Sequence, residues 1–152
     1  MTLTLRSPAF GNDERIPDRY ARGPDNLSPP LEWSGAPEGT RSFALVVEDP
    51  DAPRGTFRHW AVHGLEPDRT RLDEGAGQRD SDLAQGANDF GNSNYDGPEP
   101  PEGDAPHHYH FRLAALDTDH LEVGPRQRAE AVWEAAQGHI LEEAELVGTY
   151  QR

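Results

Sequence analysis

The stretch VVEDPDAPRGTFRHWAVHGL, from Val46 to Leu65, holds two carboxylates and a histidine at a spacing that could let them share a site. An apolar run from Phe43 to Val47 reads as a buried strand, and it ends in Asp49 and Asp51 with Pro50 between them. Residues two apart in an extended chain point the same way, so both carboxylates are expected on one side, with Pro50 and Pro53 stiffening the backbone. Proline gives no N–H to a ladder, which places this stretch at a sheet margin. After a turn at Arg54 and Gly55, His59 and Trp60 open a second strand. Taken singly, an aspartate beside proline is a turn former and His59 a structural histidine. Taken together at one rim, they could bind an anion, ligate a metal or move a proton.

The elements that must position these residues are short. Pro29 and Pro30 force LSPPLEW to be extended, delivering Leu31 and Trp33 to one face. The polar, glycine-rich chain from Glu66 to Ala87 reads as a surface connection with short order near Leu72 and Leu83. NDFGNSNYDGPEPPEG cannot be regular structure, yet Phe90 and Tyr95 are unsuited to a free linker and suggest a loop packed on the body. HHYHFRLAALD alternates as a strand with His107, Tyr109 and Phe111 on one face and His108 and His110 on the other. A helix is expected from about Pro125 to Glu145, carrying a stripe of Ala129, Val132, Trp133, Ala136, Ile140 and Leu141, with Gly138 marking close packing. Several strands, proline-rich turns, one late helix and no βαβ alternation point to a mainly β protein: one domain over 1–152, an antiparallel β-sandwich with one C-terminal peripheral helix.

Composition narrows the partners. The chain has 152 residues, 28 acidic against 14 basic, giving −14, and every basic residue is arginine. Such a surface repels phosphodiester backbones and anionic bilayers, so neither nucleic acid nor membrane insertion is expected. Acidic side chains hold water and salt screens their repulsion, which reads as a halophilic surface; a GC-rich genome gives the same lysine depletion without a salt requirement. There is no cysteine, excluding disulfides and thiolate metal sites. MTLTLRSPAF lacks an apolar signal core, so a soluble, cytoplasmic protein is expected.

DPDAP from Asp49 to Pro53, His59–Trp60, the loop from Asn88 through Tyr95 to Gly97–Pro98 and Pro100–Pro101, and His107-x-Tyr109 together resemble the phosphatidylethanolamine-binding protein family, in its bacterial and archaeal Raf-kinase-inhibitor-like branch. NLSPPLEW and GHILEEAELVGTY resemble it too, so the similarity spans nearly the whole chain. The resemblance implies two antiparallel sheets and a cavity for phosphate-like anions or phospholipid head groups, lined by Asp49, Asp51, His59, Gly97, Pro98, His107 and Tyr109. It implies no cofactor and a possible homodimer. The family's usual His-Arg-Tyr is His107-His108-Tyr109 here, and His108 is expected on the outer face. Two carboxylates repel phosphate, so the donors are expected to be neutral histidines, Tyr109 and loop amides. One carboxylate is expected behind a histidine ring and the other on an ammonium or arginine.

Two rival chemistries use the same cluster. A facial metal site could join Asp49 or Asp51 to His59 and His107, whereas His59 and His63, four apart in a strand, lie about 13 Å from each other and cannot share an ion. A phosphoester hydrolase would need an Asp–His pair to activate water, because there is no Gly-x-Ser-x-Gly elbow and Thr56 and Ser93 have no evident base. A third reading is a module whose cavity takes an anionic group of a partner protein.

Overall fold

The computed structural model describes residues 2–124 and 127–152. In chain order the elements are β1 (Thr4–Arg6), β2 (Glu14–Arg15), β3 (Leu31–Ser34), β4 (Ser42–Asp49), β5 (Phe57–Leu65), β6 (Arg71–Leu72), the one-turn helix α1 (Ala76–Arg79), β7 (Ala84–Gln85), β8 (His107–Leu116), α2 (Ala129–Ala136) and β9 (Ile140–Tyr150). They form two sheets: a small one ordered β1-β3-β6 and a large one ordered β2-β9-β8-β4-β5-β7. All ladders are antiparallel except the short β2–β9 pairing. None of the described helices is long and apolar enough to cross a membrane.

The two faces of β4 explain both its sequence and the layering. Phe43, Leu45 and Val47 face the small sheet and join Leu31, Trp33, Trp60 and Phe111 in the main core. Ala44 and Val46 point the other way and pack under α2 with Ala61, Ala114, Val132 and Trp133. A central strand covered on both sides has no solvent face, so its apolar run is continuous where an edge strand would alternate. The small residues Ala44, Ala61 and Ala114 let α2 approach the sheet closely.

The late helix is shorter than expected. Pro125 lies outside the described residues; α2 covers Ala129–Ala136, a 3-10 turn covers Gln137–His139, and from Ile140 the chain is strand β9. Ala129, Val132, Trp133 and Ala136 are buried as a helical stripe should be. Beyond Gly138 the same apolar content follows a period of two, and β9 pairs with β8 along its whole length, from Leu116↔Ile140 to His107↔Tyr150. Adjacent Ile140 and Leu141 mimicked a helical stripe, yet Leu141 is exposed. A Cβ at Gly138 would meet nothing, so that glycine marks no close packing. Gly148 does: a Cβ there would collide with Ile16, which lets β2 dock against β9.

Candidate functional site

At one end of the large sheet, where β4 stops and β5 and β8 begin, lies a pocket of about 190 Å³. Asp49, His59, His107 and Tyr109 line it with Phe57 and Phe90, and Glu99 to Pro101 form a lip. Strand geometry brings them together. Asp49 is the last residue of β4, and β8 runs antiparallel beside it, with His107 and Tyr109 inward and His108 and His110 outward. The T-shaped contact of His59 on Tyr109, 5.3 Å between ring centres, and the stacked His107–Tyr109 contact at 6.5 Å show that the two histidines converge on one tyrosine.

His59 is held by the loop 88–97. Its Nδ1 lies 2.8 Å from the carbonyl oxygen of Asp96. A carbonyl only accepts, so Nδ1 carries the hydrogen and Nε2 of the neutral ring is a lone-pair acceptor. Burial pushes the ring's pKa down, against the smaller upward pull of the Asp96 carbonyl and the Asp49 and Asp96 charges. Asn88 anchors the loop: its amide donates to the carbonyl oxygens of His59 and Asn94 and to Asp96 Oδ2, while its Oδ1 accepts from the N–H groups of Phe90 and Asn92. The buried Asp96 carboxylate also accepts from the amides of Asn26 and Asn92. Arg22 covers this wall, 4.2 Å over the Phe90 ring and bonded to Glu99.

His107 is held by charge. Nδ1 is 2.6 Å from Asp49 Oδ2 and Nε2 is 3.0 Å from Asp104 Oδ2. Desolvation is the largest single influence on this ring and lowers its pKa, but the bonds to the two carboxylates outweigh it together and the net shift is upward. The protonated ring donates to both acids, and the other oxygen of Asp49 accepts the N–H of Asp51. The negative charge of Asp49 is thus matched within the fold.

Tyr109 supplies the unmatched group. Its hydroxyl is buried and has no partner in hydrogen-bond geometry among the described residues, while the residue itself lines the pocket. Burial, then the charge and the hydrogen-bonding pull of the neighbouring Asp49 carboxylate, push its pKa far above the usual phenol range, so the hydroxyl keeps its hydrogen, although no acceptor sits in good hydrogen-bond geometry. A buried donor without an acceptor costs about 1–3 kcal/mol, which a ligand oxygen would recover.

Several expectations change. Asp49 and Asp51 do not face one side: β4 ends at Asp49 and the chain turns at once, leaving Asp49 buried and Asp51 outside, accepting from the N–H of His108 and 2.8 Å from its Nδ1. The second carboxylate therefore meets His108 and not an ammonium or arginine. Gly97 and Pro98 stand behind the wall: the Gly97 N–H donates to Asn26, the Pro98 carbonyl accepts from the Arg22 N–H, and a Cβ at Gly97 would lie 2.0 Å from the Tyr20 carbonyl oxygen. The amides of Asp89, Phe90 and Gly91 are not free donors, since all three bond within the protein. Neutral His59 cannot donate into the pocket, because its one N–H faces Asp96. For the rival metal reading, which joins Asp49 or Asp51 to His59 and His107, Asp49 is hydrogen-bonded to His107 and Asp51 lies outside; among the described residues no group of three His or acidic side chains is disposed to hold an ion. The residues missed were Phe57, Phe90 and Asp104; the period-two pattern gave no signal for a loop carboxylate folding back three residues onto a histidine.

The comparisons with known proteins agree with this architecture. A family model described as phosphatidylethanolamine-binding protein matches residues 6–151. A UPF0098 protein of Methanothermobacter thermautotrophicus is 44% identical over 153 residues, covering 99% of each chain. The UPF0098 protein YbcL of Escherichia coli K12 is 41% identical over 132 residues, covering 83% of this chain and 72% of its own. The crystal structure of E. coli YbcL, described as a new member of the mammalian PEBP family, superposes with a TM-score of 0.94 at 34% identity, covering 100% of this chain and 99% of the other.

Proposed function

The chain belongs to the phosphatidylethanolamine-binding protein family, and we propose that the pocket between His59 and His107 binds a small phosphate-type anion, either free or as a head-group ester. The observation that carries this reading is the Tyr109 hydroxyl, a buried donor on a pocket-lining residue with no acceptor in good hydrogen-bond geometry. A phosphate oxygen supplies that acceptor, and the protonated His107 ring beside it supplies positive charge. His59 refines the ligand. Its Nε2 accepts only, so a ligand that also brings a hydrogen is favoured, as the P–OH of a monoprotonated phosphate does or as an ammonium group does. Phe57, Phe90 and the prolines of the lip exclude water and strengthen these few polar contacts. We read the role as binding, because the Asp49–His107 pair has both ring nitrogens engaged by carboxylates, Nδ1 by Asp49 and Nε2 by Asp104, and neither is free to take a proton from water. A phosphorylated side chain of a partner protein presents the same oxygens and is read by the same groups.

Calorimetric titration of phosphate, phosphoethanolamine and a phosphoserine peptide into wild type and Tyr109→Phe tests this. Wild type is expected to bind, and Tyr109→Phe to bind about tenfold more weakly, as removal of one hydrogen bond to a charged acceptor requires. Equal affinities, or no binding to wild type, would contradict the reading. The pH course follows from His107. Its folded pKa is raised, so anion binding is expected in full at low pH and to fall away as pH rises through that raised value.

A further inference from the structure

Asp104 makes the contact on His107 that a ligand anion would be expected to make. Its Oδ2 lies 3.0 Å from Nε2 of a ring whose side chain is 5% exposed, while the Asp104 side chain itself is 42% exposed. The buried partner, Asp49, is fixed from two sides by His107 and by the Asp51 N–H. Asp104 is fixed only by this bond: its carboxylate has no other hydrogen-bond donor among the described residues. Its backbone belongs to the turn after Pro101, tied by its own N–H to the Pro101 carbonyl oxygen and by its carbonyl to the Gln151 amide. The side chain can therefore leave His107 while the loop stays in place. Asp104 itself lines an outer cleft of about 260 Å³ together with His107, His108 and Asp51, open space within which its side chain can turn away from the ring. Because His107 lines both the cleft and the inner pocket, an anion arriving from either side meets the same ring.

We propose that Asp104 is an internal competitor for His107 Nε2: its carboxylate holds the place of the ligand's anionic oxygen, and binding proceeds by exchange of one for the other. The proposal rests on the anion-binding reading above and names the residue that sets its affinity. No covalent bond changes; the Nε2–H donates to Asp104 in the free protein and to the ligand in the complex. A competitor that must be displaced lowers the affinity of every displacing ligand by one common factor, the ratio of all conformers to open ones. Mere negative charge at the rim acts differently, because it repels a dianion more than a monoanion.

The experiment compares sulfate, a dianion, with acetate, a monoanion, at one pH at which an NMR titration of each protein shows the His107 ring protonated. Binding is read by calorimetry for wild type, Asp104→Ala and, as a rim-charge control in the same loop, Glu102→Gln. Asp104→Ala is expected to bind both anions about three- to fivefold more tightly, by the same factor, as loss of a partly exposed ion pair allows, with Glu102→Gln near wild type. A gain larger for sulfate than for acetate, or the same gain in Glu102→Gln, shows charge repulsion and overturns the competitor. An unchanged or weaker Asp104→Ala overturns it too. Absence of binding in all three proteins removes the anion-binding reading itself and the competitor with it.

Discussion

The two walls of the pocket hold the same kind of side chain by opposite means. His59 is fixed by neutral groups: a carbonyl takes its hydrogen, an asparagine network holds that carbonyl's loop, and burial keeps the ring uncharged. His107 is fixed by two carboxylates, one buried and one half in solvent, and is driven toward the charged form. The difference teaches that a buried histidine is not one chemical object. What faces its first nitrogen decides whether the second accepts or donates, and here one wall is a rigid acceptor and the other an adjustable donor. A ligand carrying both an oxyanion and a hydrogen matches the pair.

Changes to each wall separate the two behaviours. Asn88→Ala should have the largest effect, about 3 kcal/mol of stability in chemical denaturation, because it strands several buried donors and acceptors of the His59 wall at once. A loss below about 1 kcal/mol would mean the network does not hold that wall. Asp49→Asn should cost about 2 kcal/mol by removing the charge behind His107, and should drop the His107 pKa measured by NMR titration; an unmoved titration would detach the two residues. Smaller still, the walls should respond to pH in opposite directions. His59, with a lowered folded pKa, gives stability that is complete above its unfolded value near 6.5 and is lost as pH falls through the folded value. His107, with a raised one, gives stability that is complete below about 6.5 and is lost as pH rises through the folded value. Denaturation curves of His59→Gln should therefore lose the acid-side decline and keep the alkaline one. The smallest effect is expected from His108→Ala, whose pair with Asp51 is half exposed on the outer face: within about 0.5 kcal/mol, with phosphate affinity unchanged. A lost affinity there would move the site to the outer cleft.

Much of this arrangement was legible in the residues. The inward turn of His107, Tyr109 and Phe111 followed from strand alternation, and β4 and β5 lie where the apolar runs placed them. Alternation failed where the strand stopped. Asp51 is two residues past Asp49 but sits beyond the end of β4, so its side chain no longer obeys the pleat. The sequence puts Ile140 to Glu145 in the helix because α2 runs into β9 through a single 3-10 turn, and the adjacent pair Ile140–Leu141 fits either period. The tautomer of His59 and the Asp104 contact were invisible because loops make them, and nothing in the spacing of Asp96 or Asp104 says which carbonyl or carboxylate will face a ring. Gly97 could be singled out in the sequence, but its reason, the carbonyl of Tyr20 packed where a side chain would be, is tertiary.

The most direct test of the central claim is a crystal structure of the protein grown in phosphate. The account predicts phosphate in the pocket with one oxygen about 3 Å from the Tyr109 hydroxyl and a second group within hydrogen-bond reach of His59 Nε2. Phosphate seen only on the outer surface, with the Tyr109 hydroxyl still without a partner, would contradict it.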